Sequence, residues 1–379
     1  WAVDGTFIGQ GNGTATTAGD AAAFAVSPHD HRERIGSVRL ATPQNLEDAI
    51  TSARNAFVRW ERTDAAERAR VLEAAADLFE RDRATLLAAL IREAGKTLDA
   101  AQAELREAVD YLRYYAVEAR RLFSNAIRLR GPTGEDNTLT LRGRGPFACI
   151  SPWNFPVAIF TGQIAAALAA GNSVIAKPAE QTPIAGYLVV KLLHEAGIPR
   201  DVLHLVTGGG KLGEALVKDQ RIEGVVFTGS GETAWAIQKS LVDRRGAIIP
   251  FIAETGGINA MIADSSALPE QVVRDAVRSA FDSAGQRCSA ARILFVQDES
   301  ASRIRSMLAG AIEALDVGDP LDYGTDIGPV IDETAQDALE SHKVRMQREA
   351  REIVDLAMPE ACRAGTYVTP ALFEIDRLA

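Results

Sequence analysis

The chain has 379 residues, 47% hydrophobic and 24% charged, enough for two domains with sizeable cores, which excludes a disordered or fibrous protein. A formal net charge of −10 argues against a duplex-binding protein, whose footprint is a basic face, and points to a small-molecule partner rather than nucleic acid. Three cysteines spread over this length make no C-x-x-C pair and no disulfide framework, so a reducing, cytoplasmic compartment is the simple inference.

The chain opens on Trp1 rather than a Met and closes at Leu378-Ala379 just after a strand-like segment, so it reads as a piece of something longer. No signal peptide pattern is expected. From Asn45 to about Phe123 the sequence is nearly all helix-forming, with apolar residues at three- and four-residue spacings in stretches such as Ala66 to Phe79 and Leu105 to Tyr115. These read as surface-packed helices. Residues 125–145 turn to Gly, Pro and Asn, then alternate as Thr138-Leu139-Thr140-Leu141-Arg142, a strand with one wet face. Such an arm suits pairing with a neighbouring subunit, hence an expected homo-oligomer.

After Pro146 short apolar runs alternate with helical patterns: FACIS, a helix from about Val157, NSVIAK, a helix from Pro183, VLHLV, a helix from Lys211, GVVFT, a helix from Glu232, and IIPFIAE. The spacing predicts parallel β-α-β units in an open sheet, with ligands at the carboxyl ends of the strands. A second α/β block follows, with a helix through Gln271 to Ser283 and a strand at Arg292 to Val296. The stretch Val157 to Ala176 is apolar but broken by Thr161, Gln163, Asn172 and Ser173, so it falls short of a membrane span.

All but one of the core strands end in polar clusters: Ser151-Pro152-Trp153-Asn154, Lys177-Pro178-Ala179-Glu180, Thr228-Gly229-Ser230 and Glu254-Thr255-Gly256-Gly257. Any one of these could be turn chemistry alone. Four in register, followed by Gly285-Gln286-Arg287-Cys288-Ser289, shift the balance to function. The ordered set SPWNFP, KPAE, FTGS, ETGG and GQRC resembles the aldehyde dehydrogenase superfamily over essentially the whole chain. The flanking IFTGQIAAALAAGN, FIAETGGINAMI, SAFDSAGQRCSA and GTDIGPVID are similar to the branch that oxidises glutamate γ-semialdehyde, which includes the dehydrogenase module of bifunctional proline utilisation A proteins.

The resemblance implies an α/β fold with a Rossmann-type NAD-binding domain over 1–124 and 146–253, an oligomerisation arm at 125–145 and a catalytic domain over 254–379. It also implies an aldehyde substrate, NAD as cofactor, and fusion to a proline dehydrogenase domain outside this chain. Oxidising an aldehyde to an acid requires a nucleophile to add before hydride leaves, and a thiolate does this well. Cys288 follows Gly285 where a turn would expose it, whereas Cys149, inside FACIS, and Cys362 read as small buried hydrophobes. The oxyanion needs donors, for which the resemblance offers the Asn154 amide and the Cys288 backbone N–H; otherwise Asn154 caps the helix near Val157. Glu254 is the candidate general base for thioester hydrolysis, following the buried-looking IIPFIA, an environment that raises a carboxyl pKa.

For NAD, the resemblance assigns Ser151, Pro152, Trp153, Lys177, Glu180, Gly229, Ser230 and Gly256, with Glu180 taking the ribose hydroxyls. Gly229-Ser230 also stands between a strand and a helix, where free N–H groups meet a phosphate. Gly229-x-Gly231-x-x-Ala234 fits a loose G-x-G-x-x-A pattern, although the family has a bulkier residue where Gly231 stands. Lys177 and Glu180 would otherwise be a solvated i, i+3 pair. Ser289, Glu107 and Phe155 are the candidate substrate contacts, Glu107 being equally readable as a solvated helix residue. His29 and His31 lie in SPHDHRE without further ligands, so no metal is expected. Family members continue beyond the position of Ala379 with a segment that holds the nicotinamide ribose, so the resemblance implies that this chain alone is a poor catalyst.

Overall fold

The computed structural model describes residues 2–3, 6–7 and 22–375. The chain forms two compact units, one of Trp1–Ala25, Gly36–Ala89 and Ala103–Thr255, the other of Val26–Ile35, Leu90–Gln102 and Gly256–Ala379. The second unit takes in everything from Gly256 onward, and 26–35 and 90–102 go with it. Their packing explains it. Gly95 takes φ +67° and lies so close to Pro329 that a Cβ would sit 2.7 Å from its Cγ, and Thr366 N donates to Pro28 O at 2.9 Å.

The first unit is built on a six-stranded sheet in the order Phe251–Thr255, Gly224–Gly229, Pro146–Ile150, Ser173–Lys177, Leu203–Val206 and Thr6–Phe7. All neighbours are parallel except the last pair. The chain steps outward from 146–150 to 203–206, then returns to lay 224–229 on the other side of 146–150. This reversal makes a topological switch point between those two strands. The runs PFACI, SVIAK and LHLV are buried at every residue, as parallel strands covered on both faces must be. On one face the helices Pro43–Glu61, Gly210–Lys218 and Gly231–Val242 bring Leu46, Ile50, Leu216, Val217 and Ile237 against Ile150, Ile175, Val206 and Phe227. The crossover helices Ala158–Ala169 and Pro183–Glu195 also pack against these strands, and Ala65–Arg81 packs on both of them.

Local signals set these elements. Thr42 opens Pro43–Glu61 with a reciprocal cap: its hydroxyl accepts from Asn45 N at 3.1 Å while its own N donates to Asn45 Oδ1 at 2.9 Å. Within the predicted helical region the structure resolves Pro43–Glu61, Ala65–Arg81, Arg83–Ala94 and Leu98–Phe123. Strands at Ala22–Val26 and Arg34–Arg39 were not legible in the sequence. In the arm, Ile127–Leu129 pairs antiparallel with Asn137–Leu139, every residue exposed. Among the described residues no helix is long and apolar enough to cross a membrane.

In the second unit Asn259–Ala263 pairs in parallel with Ala291–Val296, and helices Pro269–Phe281 and Asp298–Glu313 supply Val273, Ala276, Ile304 and Leu308 to its core. Arg351–Asp355 and Ala371–Glu374 form an antiparallel pair, with the helix Glu333–Glu349 beside it.

Arg68, in the first unit, is a buried cation, 4% exposed. Its Nε donates to Ala169 O at 3.1 Å and its Nη1 to Glu61 O at 3.2 Å and to Thr63 O, so one guanidinium closes the carboxyl ends of two helices. Arg68→Met keeps the stem but strands these carbonyls, and should cost on the order of 3 kcal/mol. Thermal melting should show a midpoint several degrees lower; an unchanged midpoint would remove this account of the helix ends.

Candidate active site

The strand register lines up the polar clusters. Lys177 pairs with Ile150, Ile150 with Phe227 and Phe227 with Ala253, making one row across the sheet. One residue further lie Ser151, Thr228 and Glu254, and Thr228 pairs with Glu254. The four clusters therefore leave the same carboxyl edge, beside the switch point.

Between Ile150 and Ala158 runs the loop carrying Pro152, Trp153, Asn154 and Phe155, all half-buried. The helix after it begins at Ala158, and the carboxylate of Glu104, on Leu98–Phe123, accepts from Val157 N at 2.8 Å and Ala158 N at 3.1 Å. The capping role open to Asn154 is thus filled by Glu104, 1% exposed. Two turns along the same long helix, Tyr111 packs on Gly162, where a Cβ would sit 3.1 Å from the ring. Glu107, one turn after Glu104, is half-buried and carries an interaction of its own, unlike a freely solvated residue.

Ser151 is 5% exposed and its hydroxyl donates to Gln163 Oε1 at 2.7 Å, so its side chain faces inward. Lys177 is 6% exposed, which corrects the alternative of a solvated surface pair. Its Nζ donates to Pro178 O at 3.1 Å, and its stem passes 3.6 Å from where a Cβ on Gly213 would be. Glu180 is exposed and lies at the start of the helix Gly210–Lys218: a Cβ on Gly209 would sit 2.6 Å from Glu180 Oε2. Glycine at 209 is what lets that carboxylate lie against the helix start. Gly229 has a similar reason, because a Cβ there would meet the Phe227 ring at 2.5 Å, whereas Gly231 faces open space. The G-x-G-x-x-A match is therefore a packing requirement at its first glycine and none at its second. Ser230 caps Gly231–Val242, its Oγ accepting from Thr233 N at 3.2 Å.

Glu254 requires a correction. The run before it is not buried: Ile248 is 94% exposed and Ile252 53%, and Glu254 itself is exposed on the edge strand. Among the described residues the expected apolar surround is not formed, because 251–255 has a neighbouring strand on one side only.

Gly256, Cys288 and Ser289 belong to the second unit, all exposed. Cys149 and Cys362 are buried, and burial pushes both thiols up. Before Cys288 the helix stops at Phe281 and Ser283, Ala284 and Gly285 all take left-handed φ of 56°, 54° and 69°. Asn259 Nδ2 donates to Cys288 O at 2.6 Å and Ala290 O at 3.0 Å, and Arg292 Nη2 to Gly285 O at 2.6 Å. His29 is absorbed by structure: Tyr367 hydroxyl donates to Gly318 O at 2.8 Å and so accepts from His29 Nδ1, 2.6 Å away. No cluster of metal-ligating residues occurs among the described residues. Sequence reasoning missed Glu104 and Gln163; for Gln163 the available signal was a polar residue inside an otherwise apolar helix, which must find a buried partner, whereas Glu104 stands on a helix with many charged residues and carries no such signal.

Residues 16–377 match the aldehyde dehydrogenase family. The chain belongs to that family. It is 48% identical over 363 residues to the bifunctional protein PutA of Escherichia coli, covering 93% of this chain and 26% of that protein. It is 33% identical to 1-pyrroline-5-carboxylate dehydrogenase of Geobacillus kaustophilus, over 92% of this chain and 68% of that one. Among solved structures, a proline utilization A variant from Bradyrhizobium japonicum matches with TM-score 0.86 and 55% identity, over 89% of this chain and 34% of that one. A 1-pyrroline-5-carboxylate dehydrogenase from Thermus with bound NAD matches with TM-score 0.88 and 32% identity, over 94% and 69%. The chain thus spans about a quarter to a third of its PutA relatives.

Burial pushes the Lys177 ammonium from 10.5 down to about 8, against the opposing pull of Glu180. Between those two values the unfolded chain holds the extra proton, so stability should rise with pH through this window, the cost of the buried charge being present in full below pH 8. Lys177→Met should be the more stable form below pH 8, and its curve should lack the Lys177 contribution to the rise. Urea titrations across this range check it; parallel curves for the two proteins would refute it.

Proposed function

We propose that this chain oxidises L-glutamate γ-semialdehyde to L-glutamate with NAD, the second step of proline catabolism, within a polypeptide that also carries a proline dehydrogenase. The observation that carries this reading is the polar row at the carboxyl edge of a doubly wound sheet, in a family member whose PutA and 1-pyrroline-5-carboxylate dehydrogenase relatives match over nine-tenths of its length. Homo-oligomerisation through the exposed arm belongs to the same reading, as do the NAD-binding and catalytic roles of the two sides of residue 254.

The first unit offers what a dinucleotide needs: a helix start at Ser230, the Lys177 ammonium, and the Glu180 carboxylate beside Gly209. Ser151, Pro152, Trp153, Gly229 and Gly256 complete the cofactor set, with Ser151 contributing its backbone carbonyl because its hydroxyl and its N–H are taken by Gln163 and Lys177. The Cys288 thiolate adds to the aldehyde carbon, forming a C–S bond and a thiohemiacetal oxyanion. Asn154 and the Cys288 backbone N–H donate to that oxyanion. When bound, NAD supplies the hydride acceptor that turns the adduct into a thioester. Glu254 takes a proton from water, whose oxygen adds to the thioester carbonyl, and the C–S bond breaks to return the thiolate and release the carboxylate. An exposed Glu254 keeps water in reach. Ser289, Glu107 and Phe155 contact the rest of the substrate.

Single-turnover mixing of the chain with NAD and glutamate γ-semialdehyde, followed by NADH absorbance, tests the chemistry. Cys288→Ala should form no NADH while binding NAD as before; retained NADH formation would remove Cys288 as nucleophile. Cofactor choice is a separate expectation. The Glu180 carboxylate accepts from ribose hydroxyls and repels a 2′-phosphate of charge near −2, so NAD should bind more tightly than NADP, and Glu180→Gln should narrow the difference. Equal affinities in calorimetry would mean that Glu180 points elsewhere.

A further inference from the structure

The hydrogen-bond ladder between strands 146–150 and 224–229 stops at the Ile150–Phe227 pair. Beyond it the chains part, one into the loop of Asn154, the other into the helix that Ser230 caps. One side chain spans the gap. Gln163, 7% exposed on the helix Ala158–Ala169, accepts from Ser151 Oγ at 2.7 Å through Oε1. Its Nε2 donates to Thr228 Oγ1 at 3.0 Å and lies 3.4 Å from Ile150 O. The amide orientation is dictated, because the Ile150 carbonyl can only accept and must face the NH2 group. Gln163 therefore continues the ladder one residue past its end, with a donor and an acceptor where the backbone can no longer supply them.

We propose that Gln163 is a positioning residue for the dinucleotide, holding the Ser151 and Thr228 strand ends at the separation that lets the loop before Asn154 and the helix start at Ser230 receive the cofactor together. The inference rests on the NAD reading above. An apolar residue of the same size would fill the same volume on this buried helix but leave the two strand ends untied. A buried helix needs no polar residue here for packing, since ten of its twelve residues are buried and most are apolar.

The experiment compares Gln163→Met, Thr228→Val, their double variant and Thr228→Ser by calorimetry with NAD and by thermal melting without it. Gln163→Met and Thr228→Val should each weaken NAD binding about three- to tenfold, the range of one neutral buried hydrogen bond. The double variant should bind no more weakly than Gln163→Met, which already removes the bond to Thr228 along with the one to Ser151. Thr228→Ser keeps the hydroxyl and should bind like the unaltered chain. Single variants that bind NAD normally, or losses that add, would overturn the proposal whatever the melting shows. Failure of the unaltered chain to bind NAD would instead remove the NAD reading, and this inference with it.

Discussion

Everything in the first unit depends on one buried helix whose two ends are both shut away from water. Ala158–Ala169 leaves orphan N–H groups at its start and orphan carbonyls at its end, and neither set can turn to solvent. Glu104 answers the first with a carboxylate that takes two N–H groups. Trp60 Nε1 answers the second at Leu168 O, 3.1 Å away, with Arg68 at Ala169 O. The charges are the right way round for the helix dipole, anion at the start and cation at the end. Each partner comes from a different N-terminal helix, so three of those helices are tied to this one by polar bonds as well as by packing.

That arrangement turns a generic layer of helix into a reference frame for the chemistry. The start of the helix fixes where the loop of Asn154 ends, its middle ties two strand ends through Gln163, and its end is locked to the outer helices. Sheet register then carries the frame sideways, so that Lys177 on one flank and Glu254 on the other are placed by hydrogen-bonded pairs rather than by flexible loops. Residues positioned in this way lose little further entropy when a ligand arrives, which is the physical content of preorganisation.

Much of this fold was legible because parallel strands and their crossover helices announce themselves: FACIS, NSVIAK, VLHLV and GVVFT became strands within a residue or two of the reading. The polar endings of those strands could be read as one site because they repeat at the same point of each β-α unit. Polar partners could not be read. Glu104 meets Val157 and Arg68 meets Ala169 across 53 and 101 residues, and no local pattern encodes such pairs. Burial was misjudged at IIPFIA for a different reason. Apolar composition says what a segment gains by being covered, not whether this chain covers it, and both Ile248, ahead of the edge strand, and Ile252, on it, remain exposed.

The second unit meets its task by strain rather than by ladder. Ser283 and Ala284 occupy a left-handed region that costs non-glycine residues about 1–3 kcal/mol each, so they persist only if their surroundings over-determine them. Gln286 Nε2 donates to Ser283 O at 3.3 Å while its Oε1 accepts from Ile331 N at 2.9 Å, fastening the turn to a distant segment. Arg287 bonds Asp282 at 2.8 Å and Ser279 O at 3.2 Å, tying the residue before Cys288 back to the preceding helix. With Asn259 and Arg292 holding the carbonyls of Cys288 and Gly285, each residue from 285 to 288 has at least one fixed group. A thiol at the end of such a turn is exposed without being loose. That combination suits a nucleophile, which must be reachable by substrate yet gain nothing from wandering.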